Sequence, residues 1–240
     1  MTFTENSTVA SVVTDNIKTA HIFKKHGIDF CCGGGISLEK ACAKNDVAYD
    51  LLIADLLIAD QTPDTNQDFD KWELDVLIDY IVDTHHSYVT ESIAILSQYA
   101  NKVAKVHGHH YTFLIEVNKL YHDVANELIA HMKKEEQILF PYIKKMVNIE
   151  NGKEASTISP FGTVNNPIKM MEEEHENAGD IFKTISSLTN GYTPPPEACN
   201  TFKALYSKLD EFEQDLHQHI HLENNILHPK AIKLEQKLSY

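Results

Sequence analysis

Apolar residues recur at helical spacing along most of the chain. Between Trp72 and about Val106 they fall at Leu74, Leu77, Ile78, Ile81, Val82, Val89, Ile93 and Leu96, with His85 and His86 among them. That spacing is the stripe of a helix that turns one face to a core. Similar patterns predict long helices from about Phe113 to Lys145, from Pro167 to about Leu188, and from about Glu197 to Leu238. They are separated by HGHH at 107–110, by the Gly- and Pro-rich stretch 150–167, and by TNGYTPPP. Pro167 suits the first helical position of the third helix, and Pro141 and Pro229 fall inside helices, where proline is expected to kink them.

Upstream the pattern is shorter. Val9, Val12, Val13, Ile17, Ala20, Ile22 and Phe23 predict one helix or two short ones, ended by Gly27. Ser37 is a candidate N-cap for a helix to about Ala43, and Asp46 for another to about Ala59. The expected fold class is all-α. A small helical module over residues 1–60 is followed by a polar linker at 61–68 and an up-down four-helix bundle over 69–240.

One stretch is written twice. Residues 131–141 read HMKKEEQILFP and residues 219–229 read HIHLENNILHP. His131/His219, Glu135/Glu223, Ile138/Ile226, Leu139/Leu227 and Pro141/Pro229 are each 88 residues apart (131 to 219, 135 to 223). His86 precedes the first copy and His175 the second by nearly equal lengths, as in a duplicated helical hairpin.

Residues i and i+4 share a helix face, roughly 5–6 Å apart at Cβ, so the His and Glu of each copy can reach one metal or two adjacent ones. Four His and two Glu are too many for a four-coordinate zinc and suit two irons that share bridging carboxylates. The alternative is that His131–Glu135 and His219–Glu223 are surface pairs, each worth a few tenths of a kcal/mol to its helix. Repetition in register weighs against that. The chain has 14 histidines, so the choice of ligands matters. Spacing alone leaves His85 and His86 open. The repeat selects His219 over His217 and His221, whereas His107, His109 and His110 are expected to be solvated. Glu136 and Glu174 adjoin candidate ligands and are expected to face away from the site, Glu136 into solvent.

Composition narrows the partners. The net charge is −14, with 35 acidic and 21 basic residues and no basic stripe, which argues against nucleic acid and anionic membrane surfaces. No apolar run approaches the roughly 18 residues of a membrane span, and the first residues lack a signal-peptide pattern. Four cysteines, two of them adjacent, do not form a secreted disulfide framework, so a cytoplasmic location is expected. Cys31 and Cys32 precede a glycine run and a helix start. They are either a reactive pair for redox or iron/sulfide handling, with thiolates favoured by the helix N-terminus, or two small residues buried at a turn. Cys42 and Cys199 are expected to be packing residues.

HGIDFCCGGGISLEKAC at the N-terminal side resembles the cysteine-bearing module of the repair-of-iron-centres family, the YtfE/ScdA-type proteins. HMKKEEQILFP, MEEEHENAG, TPPPEAC and HIHLENNILHP resemble the same family's hemerythrin-like domain. The resemblance covers nearly the whole chain. It implies a non-haem, oxo-bridged centre of two Fe ions and protection of iron–sulfur proteins from nitrosative and oxidative stress, by iron donation, by reduction of NO to N2O, or by both. It implies His86, His131, Glu135, His175, His219 and Glu223 as ligands, with both glutamates bridging, and thereby selects His86 over His85. Cys31 and Cys32 match the family's cysteine pair, and His228 stands where that motif usually has Phe. The expected partners are NO or O2, damaged iron–sulfur proteins and an electron donor of unknown identity. A homodimer stays open. The competing function is an O2 or NO carrier or sensor without turnover.

Overall fold

The structure, a computed structural model, describes residues 3–4, 7–60, 68–155 and 159–238. Of the expected linker at 61–68, only Asp68 lies within the described residues. The chain packs as two compact units, Met1–Leu77 together with His217–Tyr240, and Ile78–Leu216.

In the first unit, α1 (Val9–Asp15) is capped by the Thr8 side chain, which accepts from the Ser11 amide. A 3-10 turn at Ile17–Thr19 leads into α2 (Ala20–Lys25), so the predicted stretch is two short helices. Gly27, at φ 67°, turns the chain after α2. Ser37 caps α3 (Leu38–Asn45) as expected. Asp46 does not cap α4 (Tyr49–Asp60). It takes the left-handed conformation, φ 54°, at the C-terminal end of α3, a place where a short polar side chain is tolerated. The glycine run packs on α1: the Ala10 amide donates to the Gly34 carbonyl at 2.8 Å, and the Val9 amide to that of Ile36 at 3.0 Å. α1 also packs on the helical turn Glu223–Leu227 and on the 3-10 turn Phe69–Lys71. Lys230 donates to the Asp70 and Trp72 carbonyls at 2.8 and 2.7 Å.

The second unit is an antiparallel bundle. α5 (Leu74–Tyr80) continues through Ile81–His86 into α6 (Ser87–His107), and α7 (Phe113–Lys134) through Glu135–Leu139 into α8 (Phe140–Glu150). α9 (Asn165–Leu188) and α10 (Asn200–Leu222) complete it, α10 running on past Leu216. α9 begins before Pro167, which therefore stands third in the helix; its missing N–H still falls among the amides a first turn leaves unbonded. Phe212 joins three helices, stacking on Phe182 at 5.4 Å and meeting Tyr88 and Tyr121. Burying such an aromatic ring contributes about 2 kcal/mol.

The bundle helices widen to π-helical turns at Ile81–His86 and Glu135–Leu139, and the C-terminal helix does so at Glu223–Leu227. In the two repeat copies the π turn starts at the Glu and stops just before Phe140-Pro141 or His228-Pro229. Proline has no amide to donate and its ring presses on the carbonyl four residues back, and the wider turn accommodates both. Among the described residues no helix is long and apolar enough to cross a membrane.

Candidate metal centre

In the bundle unit, helix position and π turns bring four of the predicted residues together. His131 and Glu135 are one turn apart, and the Nε2 of His131 lies 3.3 Å from Oε2 of Glu135. The same carboxylate oxygen lies 3.4 Å from Nε2 of His86. His175, from α9, places its Nε2 2.9 Å from that of His131. His131, Glu135 and His175 each offer a ligand atom within 4.8 Å of the others. All four side chains are buried, Glu135 completely.

The outer nitrogens determine what these rings can do. His86 Nδ1 lies 2.7 Å from Glu136 Oε1, and His131 Nδ1 lies 2.9 Å from Glu174 Oε2. A carboxylate can only accept, so each Nδ1 carries the proton and each Nε2 presents a lone pair to the interior. Lys134 also pairs with Glu174. Burial would raise the Glu174 pKa, but the Lys134 and His131 contacts bring it below the ordinary carboxylate value. His86 is further fixed by stacking on Phe140 at 5.7 Å. Imidazole lone pairs converging on a buried carboxylate form a donor set that suits a divalent cation.

The second copy of the repeat lies in the other unit. There His219 Nε2 is 3.1 Å from Glu223 Oε1, both residues buried. The i, i+4 contact and the π turn that begins at the Glu are thus the same in both copies. On that unit the cysteine loop lies against the end of the same helix. Asn225 Nδ2 donates to the carbonyls of Cys31 at 3.1 Å and Phe30 at 3.4 Å, and lies 3.0 Å from His221 Nδ1. Asn224 Nδ2 is 4.0 Å from Cys32 Sγ. Phe30 packs on both His217 and His221. The His221 pKa is lowered to about 4 by burial, against a weaker opposing contact with the Phe30 backbone.

Cys31 fits the buried alternative rather than a ready thiolate. Its hydrogen bond to Cys32, its burial and the nearby Asp29 carboxylate push its pKa well up. Cys32 is exposed, its sulfur 3.9 Å from that of Cys31, and all four cysteines are free thiols.

Residues 77–231 match the Hemerythrin HHE cation binding domain, and residues 5–60 match a Domain of Unknown function (DUF542) found in ScdA. The chain is 35% identical to the iron-sulfur cluster repair protein ScdA of Staphylococcus haemolyticus over 227 residues, 95% of this chain and 98% of that one. It is 38% identical to the iron-sulfur cluster repair protein YtfE of Yersinia pseudotuberculosis over 214 residues, 89% and 91% of the two chains, and 37% identical to YtfE of Yersinia pestis over 218 residues, 91% and 93%. The chain belongs to the ScdA/YtfE family of hemerythrin HHE proteins.

Its hemerythrin domain implies iron binding, and the His and Glu side chains described above could hold the metal. Two features of this ScdA/YtfE-family chain depart from the sequence expectations. Glu136, exposed as expected, and Glu174 each nonetheless receive the Nδ1–H of a histidine that reaches the buried carboxylate or its neighbour. His85, as the choice of His86 implies, turns from the cluster, its Nδ1 2.9 Å from Asp215 Oδ1. Cys199, expected to be packed, is exposed beside His107.

Proposed function

We propose that this chain is a non-haem di-iron protein for repair of iron–sulfur clusters damaged by nitrosative or oxidative stress. His86, His131, Glu135, His175, His219 and Glu223 would hold the two irons, with both glutamates bridging and an oxo bridge between the metals. The observation that carries this is the repeated His–Glu contact, 3.3 Å in one copy and 3.1 Å in the other, each followed by the same π turn. The names of the relatives support the repair role.

The pair of irons would supply reversible one-electron chemistry and an open position for NO or O2. The chain's own residues do the rest. Glu136 and Glu174 keep His86 and His131 in the Nδ1–H tautomer, and burial keeps bulk water from the carboxylates. NO reduction, 2 NO + 2 e⁻ + 2 H⁺ → N2O + H2O, needs an external electron donor, whereas iron donation to a damaged cluster needs none. Within this proposal the functional division is 1–60, 61–68 and 69–240, and Cys31 with Cys32 handles electrons, iron or sulfide, Cys32 being the exposed thiol. Four free thiols support a reducing, cytoplasmic setting.

The test is iron content and turnover of anaerobically purified protein. We expect two irons per chain, lowered in Glu135→Leu and in Glu223→Leu, and either N2O from NO with a reductant or transfer of iron to an apo cluster. Unchanged iron in both variants would falsify the ligand set. NO binding with neither N2O nor iron transfer would leave a carrier or sensor. Cys31→Ala with Cys32→Ala should keep the iron and lose repair; loss of iron there would put the thiols in the metal site.

A further inference from the structure

At the loop end of the bundle, away from the repeated motif in sequence, His107 Nε2 lies 3.3 Å from Cys199 Sγ. Ninety-two residues separate them, so the fold makes the pair. The sulfur is exposed. The imidazole is half-buried and rests on the Phe202 ring at 5.4 Å, which limits where it can point. A nucleophile within reach of a base that is itself held in place is the arrangement that activates a thiol.

Two helix ends favour the same charge separation. His107 is the last residue of α6, where the helix dipole favours a positive group. Cys199 immediately precedes α10, and its carbonyl accepts the first bond of that helix from the Lys203 amide at 3.0 Å, so its sulfur stands where a negative charge is favoured. The nearest acid along the chain, Glu197, is engaged by the Tyr111 hydroxyl, and His110 stands beside that tyrosine ring.

We propose that Cys199 and His107 form a thiol–disulfide exchange site that takes a low-molecular-weight disulfide and carries half of it as a reversible mixed disulfide. His107 Nε2 takes the Cys199 proton, and the sulfur attacks one sulfur of the disulfide. A new S–S bond forms, the old one breaks, and the departing thiolate takes the proton from His107. Cys199 is oxidised to the disulfide level as the released thiol is reduced, with no further reactant. Other oxidants fit less well. A sulfenic acid at Cys199 would find no second cysteine within 78–216, and nitrosation by NO itself would need a separate one-electron acceptor.

The experiment incubates the full iron-loaded chain with oxidised glutathione and follows each cysteine by intact mass and peptide mapping. Exposed Cys32 serves as internal reference and buried Cys42 as the check on folding. At pH 7 we expect Cys199 to form the adduct about tenfold faster in the natural chain than in His107→Gln, because an unassisted thiol is only a few per cent ionised there. The gap should close near pH 9, and Cys32 should react alike in both. No adduct at Cys199, or equal rates at pH 7, overturns the proposal. If His107→Gln unfolds, the natural chain alone decides. A Cys199-to-Cys32 rate ratio that falls from pH 7 to pH 9 supports the dyad, and a constant ratio overturns it.

Discussion

Glu174 stands to His131 as Glu136 stands to His86: each carboxylate receives an Nδ1–H, at 2.9 and 2.7 Å, and leaves Nε2 facing inward. The two acids come from different helices and lie on opposite sides in sequence of the proposed ligands they adjoin, Glu136 after Glu135 and Glu174 before His175. Neither reaches the buried cluster, yet together they determine which nitrogen can bind.

Glu136→Gln and Glu174→Gln should therefore weaken iron binding without changing its stoichiometry at saturation. Loss of an outer carboxylate on a ligating histidine typically costs 10–100-fold in affinity, and about tenfold is expected for each. Competition with a chelator, read as iron retained per chain, measures it. Unchanged retention in both variants would mean the acids only decorate the surface.

Asn225→Ala should loosen the cysteine loop. The side chain ties the Cys31 and Phe30 carbonyls to the C-terminal helix, whereas the Asp29 carboxylate braces the loop only from within. Alkylation of buried Cys31 is expected to speed up by about tenfold, equivalent to about 1.4 kcal/mol of lost restraint. Equal alkylation rates would show that the glycine run alone holds the loop.

Gly34→Ala tests that run. A Cβ at Gly34 would sit 2.4 Å from the Phe30 carbonyl oxygen and 3.0 Å from Ala10 Cβ, and backbone must move to admit it. Overpacking of this kind costs roughly 1–3 kcal/mol. Thermal unfolding should show an earlier transition in the variant while iron content stays the same.

Asp55 gives an acid-sensitive contact. Hydrogen bonds from Lys25 and then His26, each 2.8 Å away, lower its pKa below the ordinary carboxylate value. A depressed carboxylate stabilises the fold above its unfolded pKa, and that contribution disappears as pH falls through the folded value. The loss of stability between pH 5 and pH 3 should accordingly be smaller in Asp55→Asn than in the natural chain, with the pH range chosen around 3.8. Parallel curves would remove Asp55 from the acid response.

The helices are largely legible because their apolar stripes are long, and the two buried His–Glu pairs because the motif is written twice. Other features left little local trace. The π turns add a residue to a helical turn without breaking the stripe. Pro141 and Pro229 mark two of them, but Ile81–His86 has no proline. Glu136 and Glu174 each adjoin a candidate ligand in sequence, and helix neighbours diverge by about 100°. An imidazole has two nitrogens that point apart, and the divergent neighbour on another helix meets the outer one. Cys199 with His107 is a long-range pair, visible only once α6 and α10 are folded.

The chain crosses between the compact units twice, between Leu77 and Ile78 inside α5 and between Leu216 and His217 inside α10, and the second crossing concerns the repeat. Proteases nick exposed loop tips, so digestion is expected to leave that crossing intact. A gene cut there would end a helix in mid-course, stranding its last carbonyls and discarding His219 and Glu223. Shuffling of the N-terminal module onto another bundle would meet the same obstacle, because the segment it packs with, 217–240, follows the bundle in sequence. Exchange of either unit therefore has to break a helix.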